Sequence, residues 1–203
     1  NNPVINNLSL EIKHKTKIAI IGRSGSGKTT LTKLILKLYN NYQGNIFIDG
    51  ININDIETNY LRKKVIYVNQ RTNLLNRTVI ENINYGNNVD TKVIYNLLNK
   101  YSLIDIFSGL KNGINENCLV GGSNLSLGMQ KVILLTRGVL KSNNGLIMIF
   151  DEPLAGLDVK TRKKVINMII NECKNKTLII ITHDKEIIPY MDKTINLNQI
   201  NKN

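Results

Sequence analysis

Two stretches of this chain hold side chains whose types and spacing could do chemistry. The first reads Gly22-Arg23-Ser24-Gly25-Ser26-Gly27-Lys28-Thr29, directly behind the apolar run Ile18-Ala19-Ile20-Ile21. Glycine, four residues, then Gly-Lys-Thr, between a strand-like and a helix-like segment, is the spacing of a phosphate-binding loop. Glycines at 22, 25 and 27 allow positive φ and close approach, so successive N–H groups can aim at phosphate oxygens. A helix starting near Lys28 adds the positive end of its dipole. Lys28 offers a mobile cation to the outer phosphates, and the Thr29 hydroxyl is placed to hold Mg²⁺. The second stretch, Leu146-Ile147-Met148-Ile149-Phe150-Asp151-Glu152, is an apolar strand ending in two carboxylates. In a parallel sheet, ligands bind beyond the carboxyl ends of the strands. There Asp151 can hold Mg²⁺, and Glu152, just before Pro153, can orient and deprotonate a water. Together the stretches point to binding and hydrolysis of a nucleoside triphosphate.

The elements that must position these groups follow from periodicity. Residues 4–12 alternate loosely and suggest a strand, and Ile18–Ile21 suggests a central strand covered on both faces. Leu31, Leu34, Ile35 and Leu38 fall at helical spacing, predicting a helix to about Tyr39. A turn at 40–44, a short strand Asn45–Ile48, the tight-turn pair Asp49-Gly50 and a strand Val65–Val68 come next. The middle reads as helices, notably Thr91–Tyr101 and Met129–Leu140. Strands return at Leu146–Phe150, Leu178–Ile181 and Thr194–Leu197, with a helix at Thr161–Cys173. The expected fold is α/β: a P-loop NTPase core with a mostly parallel sheet, an N-terminal antiparallel β part and an inserted α-helical subdomain. One domain spans 1–203, with 1–70 and 143–203 as the core and 71–142 as the helical insertion.

A hydrophobic content of 42% with 21% charged residues indicates a globular chain rather than a disordered one. No apolar run reaches the roughly 18 residues of a membrane span. The chain opens Asn1-Asn2-Pro3 with no initiator methionine and no signal peptide, which suggests a segment of something longer. Cys118 and Cys173 form neither a disulfide framework nor a metal-ligand pattern. The net charge of +12 permits a nucleic-acid partner. The lysines are scattered through an Asn- and Ile-rich chain, however, so compositional bias explains them better. Clusters such as Arg62-Lys63-Lys64 and Arg162-Lys163-Lys164 read as solvated helix faces, and His14 as a surface residue.

The chain resembles the nucleotide-binding domain of an ATP-binding cassette (ABC) protein, because separate motifs occur in that family's order. GRSGSGKT is the phosphate loop, Gln70 matches the glutamine loop, and Leu125-Ser126-Leu127-Gly128-Met129 stands where the signature belongs. Ile147–Glu152 resembles the second nucleotide motif, Leu154–Asp158 the aspartate loop, and Thr182-His183-Asp184 the histidine switch. Gly44–Gly50, Leu61–Gln70 and Thr78–Gly86 are similar to the exporter branch. The resemblance implies ATP and Mg²⁺ as cofactors, held by Gly22, Arg23, Ser24, Gly25, Ser26, Gly27, Lys28, Thr29 and Thr30, with Thr29, Gln70 and Asp151 about the metal. It implies Glu152 as general base, with Lys28 and His183 on the γ-phosphate, and Asp158 on a loop linking two sites. Ser126 and Gly128 would donate to the γ-phosphate of a partner cassette in a head-to-tail homo- or heterodimer. A transmembrane domain fused upstream of Asn1 would place the cassette on the cytoplasmic face of a membrane, and no nucleic-acid partner is expected.

The match departs in three places. Leu127 stands where the signature has its first glycine and Met129 where it has glutamine, which suggests a weakened trans site. Residues 118–124 look shorter than the exporter pattern and lack its glutamate, putting coupling in doubt. No aromatic residue precedes Tyr39, so the family's adenine-stacking ring is missing from this stretch. Two other functions therefore stay open: a nucleotide-gated dimerising module with weak hydrolysis, and a soluble ABC ATPase unconnected with transport.

Overall fold

The computed structural model describes residues 4–69 and 72–200. The chain divides into two compact units. The first comprises Asn1–Tyr67, Asn144–Phe150 and Lys176–Asn203, and the second Val68–Asn143 and Asp151–Asn175.

The first unit is built on a five-stranded sheet. Its strands are β1 (Lys17–Ile21), β4 (Val65–Val68), β5 (Ile147–Asp151), β6 (Thr177–Ile181) and β7 (Lys193–Asn196), in the order β4-β5-β6-β1-β7. β1 pairs in parallel with β6, Ile20 opposite Ile181, and with β7, Ile20 opposite Ile195. Just before β5, the Leu146 N–H donates to the Lys64 carbonyl and the Leu146 carbonyl accepts from Thr177. β4, β5 and β6 thus start level with one another and run the same way. Ile18, Ala19 and Ile20 are all buried, which is why β1 is a continuous apolar run and not an alternating one. Leu31 from α1 (Lys28–Ile35) and Leu61 from α2 (Thr58–Lys64) join Ile18, Ile149, Ile179 and Ile195 in one core.

A two-stranded antiparallel sheet, β2 (Phe47–Ile48) and β3 (Ile51–Asn52), completes the expected β part. Asp49 and Gly50 join its strands with φ of 50° and 79°, the doubly left-handed turn that matches strand twist.

The structure corrects two expectations here. Residues 4–12 form no strand: Ile5, Leu8, Leu10 and Ile12 pack against the core, but Asn7 at φ 48° breaks the extended backbone. The first helix ends at Ile35, short of Tyr39. Lys37 takes φ 52°, its N–H bonds the Leu34 carbonyl, and the Leu38 N–H bonds that of Lys33. This is a Schellman stop built on lysine. The Lys37 ammonium holds it by donating to the carbonyls of Asn54 and Ile56.

The second unit is helical: α3 (Val79–Asn84), α4 (Thr91–Lys100), α5 (Leu127–Leu140) and α6 (Val159–Glu172). Every residue of α5 from Lys131 to Leu140 is buried, so this helix is the unit's axis. Arg137 on α5 reaches the wholly buried Asn82 of α3, donating to its carbonyl at 2.6 Å and its Oδ1 at 3.1 Å. Asn82 in turn donates to the carbonyls of Leu75, Arg77 and Thr78 and accepts from the Leu75 N–H. One side chain thereby satisfies a loop that has no ladder. Lys164 of α6 is not the solvated residue its cluster suggests, because it donates to the Ser102 carbonyl and pairs with Asp105. Neither Cys118 nor Cys173 is in a disulfide, and both are buried.

Gly138 sits where α5 passes closest to Val68. A Cβ at 138 would collide with Val68 Cγ2 and lie 3.2 Å from Cγ1. Gly138→Ala is expected to cost about 1–3 kcal/mol through overpacking. In urea unfolding, Val68→Ala in the same chain should recover most of that loss, and strictly additive effects would show that the two positions do not share the space.

Candidate functional site

The phosphate loop follows β1 directly, as its residues require. Gly25 and Gly27 hold φ of 81° and 92°, conformations that side-chain-bearing residues rarely adopt. Gly22 is different: it is not left-handed, and its need for glycine is space, since a Cβ there would collide with the Ser26 hydroxyl. The Lys28 side chain arches back over the loop, donating to the carbonyls of Gly22 at 2.7 Å and Arg23 at 2.8 Å. The Ser26 N–H closes the loop onto the Arg23 carbonyl.

Gly27 is the N-cap of α1 and has no side chain to cap it. The other helices of six residues or more are each capped by an oxygen-bearing side chain: Glu57 on α2, Thr78 on α3, Asp90 on α4, Ser126 on α5 and Asp158 on α6. Among the described helices of six residues or more, α1 alone leaves its first-turn amides, those of Lys28, Thr29 and Thr30, open to an external anion.

Other groups of the first unit gather around this loop. β6 lies beside β1, and two residues beyond Ile181 comes His183, exposed just past the strand end. Thr182 before it is fully buried, its N–H on the Ile20 carbonyl and its hydroxyl accepting from Asp184. On the other flank, beyond β7, the side-chain Oδ1 of Asn198 accepts from the Arg23 N–H at 3.1 Å. Ile5 packs against the loop so closely that a Cβ on Gly27 would stand 2.7 Å from its Cγ1. Neither Asn198 nor Ile5 was legible in the sequence, because each acts through tertiary position and belongs to no motif.

In the second unit, Asp151 closes β5 and Glu152 follows at φ 47°. A left-handed glutamate, directly before Pro153, is a strained backbone of the sort that persists where function over-determines it. Lys131, on the second turn of α5, is a further group that no motif flagged. It is 7% exposed, and its ammonium nitrogen has no hydrogen-bond partner. Burial pulls its pKa down to about 8, against the opposing charges of Asp151 and then Glu152.

Ser126 and Asp158 have structural duties besides any contact with nucleotide. The Ser126 hydroxyl accepts from the Met129 N–H at 3.2 Å as the cap of α5, and the Asp158 carboxylate accepts from Thr161 at 3.0 Å as the cap of α6. Hydrogen bonds from the Thr161 hydroxyl, and then from its N–H, hold Asp158 below the usual carboxylate range. Gly128 lies in the first turn of α5, and a Cβ there would make only ordinary contacts at 3.8 Å or beyond. Leu127, the first residue of α5, is 75% exposed. Gln70 lies outside the described residues.

A glycine loop heading an uncapped helix at the end of a parallel strand defines a nucleotide-binding domain of the P-loop class. The chain belongs to the ABC transporter family, whose family model matches residues 5–155. It is 36% identical over 199 residues to the lactococcin-G-processing and transport ATP-binding protein LagD of Lactococcus lactis subsp. lactis, covering 97% of this chain and 28% of that protein. It is 38% identical over 195 residues to the alpha-hemolysin translocation ATP-binding protein HlyB of Escherichia coli, covering 95% of this chain and 27% of HlyB. Among solved structures, a bacterial Atm1-family ABC exporter with ATP bound matches at a TM-score of 0.87 and 28% identity, over 97% of this chain and 34% of that one. The chain therefore spans about a third or less of these relatives, and corresponds to their ATP-binding, ATPase part. Among the described residues no helix is long and apolar enough to cross a membrane.

The open helix end gives the first prediction for this site. Gly27→Ala forces a side chain into both a left-handed backbone and the space of Ile5. It should weaken ATP binding by about tenfold or more in a fluorescence titration, the equivalent of about 1–2 kcal/mol of backbone strain. Unchanged affinity would show that the loop does not need this conformation.

Proposed function

We propose that this chain is the ATP-hydrolysing motor of an ABC exporter, working at the cytoplasmic face of a membrane beside a transmembrane domain. The observation that carries the reading is the uncapped start of α1, with Gly25 and Gly27 left-handed before it and the Lys28 ammonium folded over the loop. Lys28 now bonds carbonyls that a triphosphate would replace, so the cation is positioned to swing onto the β- and γ-phosphates. Amides from Ser24 to Thr30 would cradle the α- and β-phosphates; the Arg23 N–H is held by the Asn198 side chain, and the Ser26 N–H would leave the Arg23 carbonyl to join them. His183, past the end of the neighbouring strand, would hold the γ-phosphate and orient the water. The exporter assignment is supported by the relatives: LagD is a lactococcin-G-processing and transport protein, and HlyB an alpha-hemolysin translocation protein.

The donor set suits Mg²⁺. A hydroxyl from Thr29, exposed on the first turn of α1, and a carboxylate from Asp151 are the hard oxygen ligands this ion takes, and phosphate and water fill the rest of its shell. Gln70 would complete the set. When bound, the ion would neutralise charge building on the transferred phosphoryl group. Glu152 would take the proton of the attacking water, and the strain at its backbone fits a residue held for that task. Glu152→Gln should lower phosphate release by about two to three orders of magnitude while leaving ATP affinity nearly intact. Undiminished release would remove Glu152 from the role of base.

We further propose that two cassettes pair head to tail, Ser126 and Gly128 of each donating to the other's γ-phosphate and Asp158 lying between the two sites. Leu127 favours a second reading, a module that dimerises on ATP but hydrolyses it weakly. Its exposed side chain stands at the helix start, where the backbone must approach phosphate. In a homodimer both sites carry this leucine, whereas a partner with an intact signature would leave one site competent. Leu127→Gly should raise homodimer turnover by about tenfold, as one freed donor would allow. A rate that does not move would show that Leu127 is no obstacle.

A further inference from the structure

The first peptide of the phosphate loop, between Gly22 and Arg23, is gripped from opposite sides. Its carbonyl accepts from the Lys28 ammonium at 2.7 Å, and its N–H donates to Oδ1 of Asn198 at 3.1 Å. The peptide is trans, so its two polar groups point in opposite directions, and a hydrogen bond to one sets the aim of the other. Asn198 is itself firmly held. It lies in a single helical turn, Leu197–Ile200, directly after β7, where Leu197 is fully buried and the Asn198 N–H donates to Oδ1 of Asn196 at 3.1 Å. Asn196 stands opposite Ile21, the last residue before the loop. The register of β7 on β1 therefore fixes where Asn198 stands beside the loop.

Satisfying a buried donor does not account for this bond. Arg23 is exposed, and water could serve its N–H. What sets the bond apart is that nucleotide would leave it in place. Lys28, which also donates to the Arg23 carbonyl at 2.8 Å, is the cation that would move to the phosphates, and the Ser26 N–H would leave that same carbonyl. Of these partners, Asn198 keeps its hold when the other two depart. Gly22 has no Cβ to restrict its backbone, so without that hold the first peptide of the loop would sample several orientations.

We propose that Asn198 is a positioning residue: from the end of β7 it fixes the orientation of the Gly22–Arg23 peptide and keeps the loop curled for nucleotide, a role that rests on the reading of Gly22–Thr29 as a phosphate-binding loop. A loop released from this anchor binds only from the fraction of its conformations that match the ligand, and its affinity falls by that fraction.

The test is the affinity of the purified protein for a fluorescent ADP in EDTA, which keeps metal and turnover out of the measurement. Asn198→Leu keeps the volume and removes the acceptor, and should weaken binding by about fivefold, the scale of one neutral hydrogen bond. Asn198→Ala should show the same loss, and supplies it should the leucine variant fold poorly. Asn198→Asp retains Oδ1 and, at about 0.5 M salt where its charge is screened, should stay within about twofold of the unsubstituted protein. Amide exchange gives a signature: the Arg23 N–H should exchange about tenfold faster in the leucine and alanine variants, with the amides of β1 unaffected. Unchanged affinity in those two variants overturns the proposal. So does tighter binding, which would mean that the Arg23 amide serves phosphate better than it serves Asn198, and so does an aspartate variant as weak as leucine. Lys28→Met separates the two levels. If it lowers ADP affinity while Asn198→Leu does not, only the role of Asn198 falls; if it leaves ADP affinity untouched, the phosphate-loop reading falls and takes the proposal with it.

Discussion

The constraint on which the phosphate site depends is an unmet hydrogen-bonding demand at the start of α1. Each helix begins with amides that its own turns cannot satisfy. Here α2 to α6 meet that demand with Glu57, Thr78, Asp90, Ser126 and Asp158, and α1 meets it with nothing of its own. Placing glycine at the cap position removes the carboxylate or hydroxyl that would compete with a phosphate for the same donors. The surrounding residues are fitted to that decision. Gly22 leaves room for the Ser26 side chain, Asn198 ties down the Arg23 amide, and Lys28 covers the carbonyls that the curled backbone turns inward.

The second unit handles the opposite problem, charge that must sit inside. Arg137 is desolvated, and burial pulls its pKa down while Tyr85 and then Cys118 push it up. It is nonetheless bonded to a carbonyl and an amide oxygen of Asn82, an arrangement that joins α3 to α5 and fixes the loop before α3. Lys131 lacks such bonds, and its compensation is the charge of the strand-end carboxylates. Within one helix, then, one buried cation is bonded into the fold and the other makes no hydrogen bond. Glu152 adds a strained φ of 47° at the strand-end carboxylates. A left-handed glutamate at an acidic strand end marks a segment that stability alone would not have chosen.

Much of this was legible in the sequence, and the failures have specific causes. Continuous apolar runs gave β1, β5 and β6 to within about a residue because both faces of those strands are covered. Asp49-Gly50 announced its hairpin because few dipeptides tolerate two left-handed residues in succession. The end of α1 was missed because its Schellman stop uses Lys37 in place of glycine and relies on carbonyls of Asn54 and Ile56, far along the chain. Residues 4–12 look like a strand because their apolar side chains do reach the core, yet burial at period two is not pairing, and Asn7 turns the backbone away. At the site, motifs named the loop and the carboxylates. Asn198, Ile5 and Lys131 escaped because nothing local distinguishes them from other asparagines, isoleucines and lysines in a chain rich in all three.

The double duty of Ser126 and Asp158 bears on how the family's motifs should be read in this chain. Both are helix caps, and loss of such a cap typically costs about 1 kcal/mol whatever else the residue does. Loss of activity on truncating either side chain would therefore not distinguish a phosphate contact from a frayed helix start. Gly128 and Leu127 are free of that ambiguity. Gly128 has room for a Cβ, so the helix itself does not demand glycine there, and an intolerance of alanine would reflect something approaching from outside. Leu127 is exposed and caps nothing, so its side chain can be removed without disturbing the first turn of α5. The departure from the family pattern thus falls on the position where structure imposes least, and its consequence must be sought in what the helix start meets, not in how it folds.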